Sequence, residues 1–285
     1  MKVAIVAAVK NENLYINEWC HYYLDMGFDH IFLYDNNALT EPQSIDAIDE
    51  NIRQYITVSK EFVGIEYRGV QLIMYDKAYE AYGKDYDWMA FFDIDEFLDG
   101  ISNIKEFLAR PELNKASQIR FLWKLFGDEN VIERDLSIPV HKFFKTPSKV
   151  SPFLEGQAKC MLRTGMPNLK FRDTHFAMIQ TGDKTFEEIP SCIPSGKPVT
   201  STAFKIWADY SEETVYLNHY RTKTLAEYLS NKMQRGDMIC NYVKLHTLDY
   251  FWAQNEKTPE KIAYIKKNYP QYDPDIYIHY KKEPC

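Results

Sequence analysis

No apolar run in this 285-residue sequence approaches the ~20 residues that a helix needs to cross a bilayer, so any membrane contact is expected to be peripheral. Cysteine is scarce: Cys20, Cys160, Cys192, Cys240 and Cys285 are an odd set at wide spacing. Without a C-x-x-C pair they suggest neither zinc nor redox chemistry, and reduced thiols in a cytoplasmic protein are expected. Basic charge is also short, with 34 Lys and Arg against 41 Asp and Glu and a net charge of −7. Nucleic acid is therefore a poor candidate partner, because neutralising its phosphates takes clustered Lys and Arg. There is no G-x-G-x-x-G and no G-x-x-x-x-G-K-[ST], which disfavours a dinucleotide-binding Rossmann site and a P-loop kinase. The apolar start, Val3 to Val9, gives way at once to Lys10-Asn11-Glu12, so it reads as a first strand and not as a signal peptide.

Rings and alternation are plentiful. The chain carries 21 Tyr and 17 Phe, and aromatic surface on that scale suits a large core and sugar faces alike. Apolar runs at Val3 to Val9, His30 to Tyr34, Tyr55 to Val58 and Trp88 to Phe92 alternate with helical patterns at Ile16 to Met26, Ser44 to Asn51 and Val70 to Tyr82. This is the rhythm of a doubly wound α/β half with a parallel sheet. Asn103 is placed to cap a short helix, Ile119 to Leu122 and Val215 to Leu217 read as strands, and Thr224-Leu225-Ala226-Glu227 fits a capping box. Thr258-Pro259-Glu260 opens a last helix. From Gly127 to Pro198 the sequence is rich in Pro, Gly and polar residues, and long functional loops are expected there.

The most informative string is Phe91-Phe92-Asp93-Ile94-Asp95-Glu96-Phe97. It sets carboxylates at the carboxyl end of a buried strand, where open α/β sheets bind ligands. Carboxylates held together repel unless a proton or a cation intervenes, and a hard divalent ion carrying a nucleotide diphosphate is one resolution. The alternative is an acidic strand exit facing water. Lys10-Asn11-Glu12-Asn13 and Tyr34-Asp35-Asn36-Asn37 are polar exits of neighbouring strands. They offer Asn11, Glu12, Asp35 and Asn36 to a base or ribose, or else simply cap the next helix.

Taken together, Lys10-Asn11-Glu12, Glu18-Trp19, Gly27, Tyr34-Asp35-Asn36, Gln71, the Trp88 to Phe97 block, Trp123, Phe126-Gly127, Asn218-His219-Tyr220, Lys223, Lys232 and Arg235-Gly236 resemble glycosyltransferase family 92 and its bacterial relatives near family 2. The resemblance runs over roughly residues 3–237. It implies a GT-A fold: α/β, with a mostly parallel central sheet, helices on both faces, a Rossmann-like nucleotide-binding half and a C-terminal helical extension. Residues 1–237 would be the transferase domain, with 1–100 as the nucleotide-sugar half and 101–237 as the acceptor and metal half; 238–285 would be the Tyr-rich extension. It further implies Mn²⁺ or Mg²⁺ and an inverting transfer of a hexose, galactose or glucose, from a UDP-sugar to a glycan or glycolipid acceptor. Asp93 carries over to the ribose or the metal, and Asp95 to the metal. His219 is the candidate third ligand, with imidazole favouring Mn²⁺. His175 is the alternative ligand, or else touches the acceptor.

Around that centre, Lys159 resembles a family lysine near the donor, without the proline that often comes after it. Lys223, Lys232 and Arg235 suit a pyrophosphate leaving group, or form a solvated basic face. Gln71 is a donor contact or a polar cap, and Trp123 is a stacking platform for a sugar or part of the core. Inversion requires a general base, for which Asp128 and Glu129 are candidates. A sugar nucleotidyltransferase and a non-catalytic carbohydrate-binding protein are the competing readings.

Overall fold

Every residue of Val3–Val9 (β1) is buried, and its period of two sorts the interior into two layers. Val3, Ile5, Ala7 and Val9 face a cluster holding Tyr15, Ile16, Trp19, Cys20 and Tyr23 of Asn13–Asp25 (α1). Ala4, Val6 and Ala8 face the opposite cluster, with Met74, Tyr75, Ala78 and Tyr79 of Val70–Tyr82 (α2). The first strand is thus buried on both faces by helices, the condition under which a parallel strand reads as one unbroken apolar run. In the computed structural model, residues 1–65, 69–148, 156–200, 206, 211–235 and 247–275 are described.

His30–Asp35 (β2), Ile56–Ser59 (β3) and Trp88–Phe91 (β4) join β1 in the parallel order β3-β2-β1-β4. The register sets Val9 opposite Asp35 and Val6 opposite Phe91, so the polar segments after β1, β2 and β4 leave the sheet at the same edge. Glu96–Asp99 (β5), Gln118–Leu125 (β6) and Ala158–Arg163 (β7) continue the architecture, with β7 antiparallel to both β4 and β6. Leu169–Asp173 (β8), Phe176–Gln180 (β9) and Phe186–Glu187 (β10) form a separate meander. Ser191–Cys192 (β11) and Pro198–Val199 (β12) finish one edge of the main sheet, and Tyr216–His219 (β13) bridges β5 and β6. The fold class is α/β with a largely parallel sheet covered on both faces, as expected.

Two expectations are corrected. Ser44 to Asn51 is not an α-helix but part of two 3₁₀ turns, Ser44–Ala47 and Glu50–Tyr55. The Asp35 carboxylate accepts the Ser44 N–H at 2.8 Å, and such side-chain competition holds the chain in turns. The stretch from Gly127 to Pro198 is not loop throughout: between its loops it contains β7, in the centre of the sheet, together with the meander. Ala158-Lys159-Cys160-Met161-Leu162 lacks the β-branched and aromatic residues of a strand, and its burial comes from the strands on either side.

The remaining helices are Ile104–Leu108 (α3), Val140–Phe143 (α4), Leu225–Glu227 (α5), Met233–Arg235 (α6), Leu248–Trp252 (α7) and Pro259–Asn268 (α8). Three N-caps read from sequence form, at Asn103, Thr224 and Thr258. Asn103 accepts from Lys105 and Glu106, Thr224 and Glu227 make a reciprocal capping box, and Thr258 accepts from Lys261. Between α5 and α6 the helix widens into a π turn, Tyr228–Lys232. Leu248 and Phe251 of α7 and Ile265 of α8 pack with Leu225, Tyr228 and Leu229, so the C-terminal segment buttresses the helix that bears Lys232. No helix among the described residues is long and apolar enough to cross a membrane. Cys20, Cys160 and Cys192 are buried free thiols, whereas Cys240 and Cys285 lie outside the described residues.

At the exit of β5, Gly100 has φ +90°, and a Cβ there would sit 2.1 Å from the Thr214 carbonyl oxygen. Gly100→Ala should therefore separate β5 from β13 and lower the unfolding free energy by more than ~2 kcal/mol, as read by urea denaturation.

Candidate active site

The acidic turn after β4 is held from four directions. The Glu96 N–H donates to the Asp93 carbonyl at 3.0 Å, and the Asp93 N–H donates to Glu96 Oε2 at 2.8 Å. The Tyr220 N–H, just past β13, donates to the Asp95 carbonyl at 2.9 Å. Trp19 Nε1 and the Tyr23 hydroxyl of α1 both donate to the Glu96 carbonyl at 3.0 Å. A turn with its carbonyls and side chains so engaged fixes the direction of both aspartates before any ligand arrives.

Each aspartate meets a lysine. Lys159 Nζ of β7 lies 2.9 Å from Asp93 Oδ1, which also accepts from Gln71 Nε2 at 2.8 Å and the Tyr75 hydroxyl at 3.2 Å, both on α2. Lys232 Nζ lies 2.6 Å from Asp95 Oδ2, and His219 Nε2 is 3.3 Å from Asp95 Oδ1. Lys232 closes the π turn, and Asn231 beside it donates to the Asn11 carbonyl at 2.8 Å, pinning the helix to the exit of β1. Single π turns recur at functional sites, where the extra residue re-aims side chains. Asn11 and Lys223 have positive φ, 52° and 54°, and two such backbone positions beside one cluster fit a site maintained against local strain.

Burial would push the Asp95 carboxyl up, but the Lys232 ammonium and His219 reverse this and hold it well below the usual carboxylate range. Glu96 behaves oppositely: burial, only partly opposed by Lys159 and reinforced by Asp93 and Asp95, raises it well above its ordinary value. Burial lowers His219 to about 4 although Asp95 pulls it up, so its imidazole is neutral at physiological pH. Lys159 is lowered by burial but raised further by Asp93, Tyr75 and Glu96, and it remains an ammonium. A neutral imidazole and an ionised carboxylate 3.3 Å apart are a nitrogen and an oxygen donor suited to a divalent cation. Among the described residues no three His, Cys, Asp or Glu side chains gather as a metal site.

The other sequence candidates divide. Gln71, Lys159, Lys232 and His219 touch Asp93 or Asp95, and Lys223 is buried with its ammonium 4.2 Å from the Tyr15 ring centroid. Glu12 is buried at the mouth of α1, and Asn11 Oδ1 is a buried atom without a hydrogen-bond partner among the described residues. Asp35 and Asn36 hydrogen-bond the backbone: Asp35 accepts from the N–H groups of Asn37 and Ser44, and Asn36 donates to the carbonyls of Phe62 and Ile65. Asn13, considered as a helix cap, makes no cap; its amide donates to the Pro42 and Gln43 carbonyls.

Asp128 lies 2.5 Å from Lys261 of α8, and Glu129 accepts from Lys145 and Thr146, so both carboxylates tie loops together. Trp123 is buried, with the rings of His219 and His175 edge-on to it at 4.5 and 5.0 Å. His175 is buried, with Nδ1 2.6 Å from the Ala158 carbonyl. Arg235 closes α6; its side chain and Gly236 lie outside the described residues.

Sequence reasoning missed Tyr75, which shares Asp93, and Asp173, which sits beside His175 with Oδ1 3.6 Å from Nε2. It also missed the buried pair of Arg134 and Glu227, 3.0 Å apart, which locks the capping box under the helix bearing Lys232. Tyr75 falls one helical turn after Gln71 on α2, a spacing that signals a shared face. Asp173 and Arg134 give no comparable local signal.

No protein-family model matches the chain, and no curated protein matches it. Solved structures to which it is similar include S. aureus TarS, at 16% identity and a TM-score of 0.34, covering 57% of this chain and 28% of that one. Another is the mannosyltransferase PcManGT from Pyrobaculum calidifontis in complex with GDP-Man and Mn²⁺, at 14% identity and a TM-score of 0.30, covering 43% of this chain and 36% of that one. The chain thus spans well under two thirds of either protein.

The electrostatics lead to two expected outcomes. Asp95→Ala removes the carboxylate that lies 2.6 Å from the Lys232 ammonium in a buried cluster, so it should cost roughly 3–5 kcal/mol in chemical denaturation, and Asp95→Asn distinctly less. His141, packed beside the rings of Tyr22 and Phe97, is lowered to about 4 by burial, as is His219. Between their ordinary value of 6.5 and about 4 the unfolded chain takes up protons that the folded chain refuses. Melting temperature should be highest above that window and fall as pH drops through it, and His141→Phe should flatten the slope.

Proposed function

We propose that this protein is a glycosyltransferase that binds a nucleotide-sugar, a UDP-sugar by the family resemblance, and transfers a hexose with inversion to a glycan or glycolipid acceptor. The observation that carries the reading is the convergence of Asp93 and Asp95 with His219, Lys159 and Lys232 at the carboxyl end of a parallel sheet. A diphosphate leaving group needs cationic and hydrogen-bond donors where its charge develops, and buried lysines supply them in a low-dielectric setting. Asp95 and His219 would hold Mn²⁺ or Mg²⁺, which when bound supplies Lewis-acid stabilisation of the departing phosphate. The polar segment Asn11–Glu12, on the same sheet edge, suits the nucleoside.

Asp173 replaces Asp128 and Glu129 as our candidate for the base. Burial raises its carboxyl, against hydrogen bonding from His175 and the charge of Lys159. Its side chain is still 39% exposed, so an acceptor hydroxyl can reach it. His175 is driven well below its ordinary value by burial and is the weaker base. With Nδ1 directed at the Ala158 carbonyl, it suits a positioning role beside Asp173. Asp128, paired with Lys261, is read as structural.

The test is incubation with a panel of UDP- and GDP-sugars and Mn²⁺. Slow sugar-nucleotide hydrolysis that releases the nucleoside diphosphate supports a transferase. Pyrophosphate release from a nucleoside triphosphate and a sugar phosphate would instead support a nucleotidyltransferase, and sugar binding without turnover a carbohydrate-binding protein. Once an acceptor is found, Asp173→Asn should lower kcat by about 10²–10⁴-fold with donor KM little changed, whereas Asp128→Asn should act mainly on stability.

A further inference from the structure

We propose that Trp123 Nε1–H and Gln157 Oε1 form a hydrogen-bonding pair that reads one hydroxyl of the transferred sugar, which makes Gln157 a specificity-determining residue. This rests on the glycosyltransferase reading of the site and deepens it by naming what recognises the sugar.

Two buried polar atoms belong to residues that face each other across neighbouring strands. The Trp123 backbone N–H donates to the Gln157 carbonyl at 2.9 Å, one step beyond Leu122 opposite Ala158 in the antiparallel register of β6 and β7. Residues directly opposite in such a ladder put their side chains on the same face. Trp123 Nε1 and Gln157 Oε1 are both buried and without a hydrogen-bond partner among the described residues. The first can only donate and the second can only accept. An unpaired buried polar group costs free energy, so two of opposite character on one face call for a shared partner. A hydroxyl supplies both halves, accepting from the indole and donating to the amide oxygen.

Their place in the cluster says whose hydroxyl it is. The Trp123 ring lies 4.5 Å from that of His219, which meets Asp95, and 5.0 Å from that of His175, which sits beside Asp173. In an inverting transfer the departing diphosphate and the base stand on opposite sides of the reacting carbon, so the sugar ring lies between them. Trp123 occupies that interval. Two imidazoles and the Arg221 guanidinium, 6.0 Å from the indole centroid, already pack on the ring, so its N–H and not a stacking face is what it offers a sugar. Trp123 is 6% exposed and Gln157 is half-buried, which sets the pair at the boundary between core and solvent.

Isothermal titration calorimetry on the full chain at saturating Mn²⁺ tests this, with UDP, UDP-glucose, UDP-galactose and the singly deoxygenated analogues of both sugars as probes. For the unaltered protein, one deoxy analogue should bind at least about tenfold more weakly than its parent sugar nucleotide. With Gln157→Leu or Trp123→Phe the same analogue and its parent should bind within about twofold of each other, while UDP itself keeps its affinity. Loss of that one contrast with UDP unchanged is the diagnostic, since general damage to the fold weakens UDP too. Gln157→Leu carries the test alone if Trp123→Phe lacks a cooperative melt, and the deoxy contrast in the unaltered protein needs no variant. UDP binding with no deoxy analogue weakened, a contrast that persists in folded Gln157→Leu, or UDP affinity that falls together with that of the sugar nucleotides overturns the pair. Absence of any UDP binding by the unaltered protein overturns the proposed function itself and the pair with it.

Discussion

One buried carboxylate organises the polar cluster at the carboxyl end of the parallel sheet. Asp95 sits out of water between the Lys232 ammonium and the His219 imidazole, and a charge in that position is tolerated only while its partners hold their geometry. Much of the surrounding structure serves that requirement. β13 delivers His219 and is itself fixed between β5 and β6. The helix bearing Lys232 is capped by Thr224, anchored through Glu227 to Arg134, and tied to the exit of β1 by Asn231. α7 and α8 cover its far side.

The same arrangement separates groups that stay charged from groups that stay neutral. Asp95 is driven down and Glu96 up although they are adjacent, because one side chain faces Lys232 and His219 while the other is desolvated near Asp93 and Asp95. His219 stays neutral and keeps its ring nitrogens for coordination or hydrogen bonding. Charges set in advance need little reorganisation when a charged ligand arrives, which is the property expected of a site handling phosphate chemistry.

Much of this was legible in the sequence. β1, β2 and β4 announced themselves as apolar runs because burial on both faces leaves no polar alternation to obscure them. The helix starts at Asn103, Thr224 and Thr258 were legible because a cap is a local interaction between residues a few positions apart. β7 was not. Its burial comes from β4 and β6, and its central Lys159 has a purpose only because Asp93 lies across from it. Asp35 and Asn36 show the converse: polar residues at a strand exit look alike in sequence whether or not they also hydrogen-bond the backbone of the next loop, as these two do.

The α/β rhythm, the edge of the sheet at which polar segments emerge, and the acidic turn at Asp93 and Asp95 follow from residue order alone, since periodicity and strand polarity are written in neighbouring residues. The fold sets which cations meet those carboxylates. Lys159, His219 and Lys232 come from three separate elements, and their pairing depends on strand order and helix docking that no local pattern encodes. It also turned Asp128 and Glu129 toward the scaffold and brought Asp173 beside His175, because a carboxylate takes its role from whatever the fold sets within reach of its oxygens.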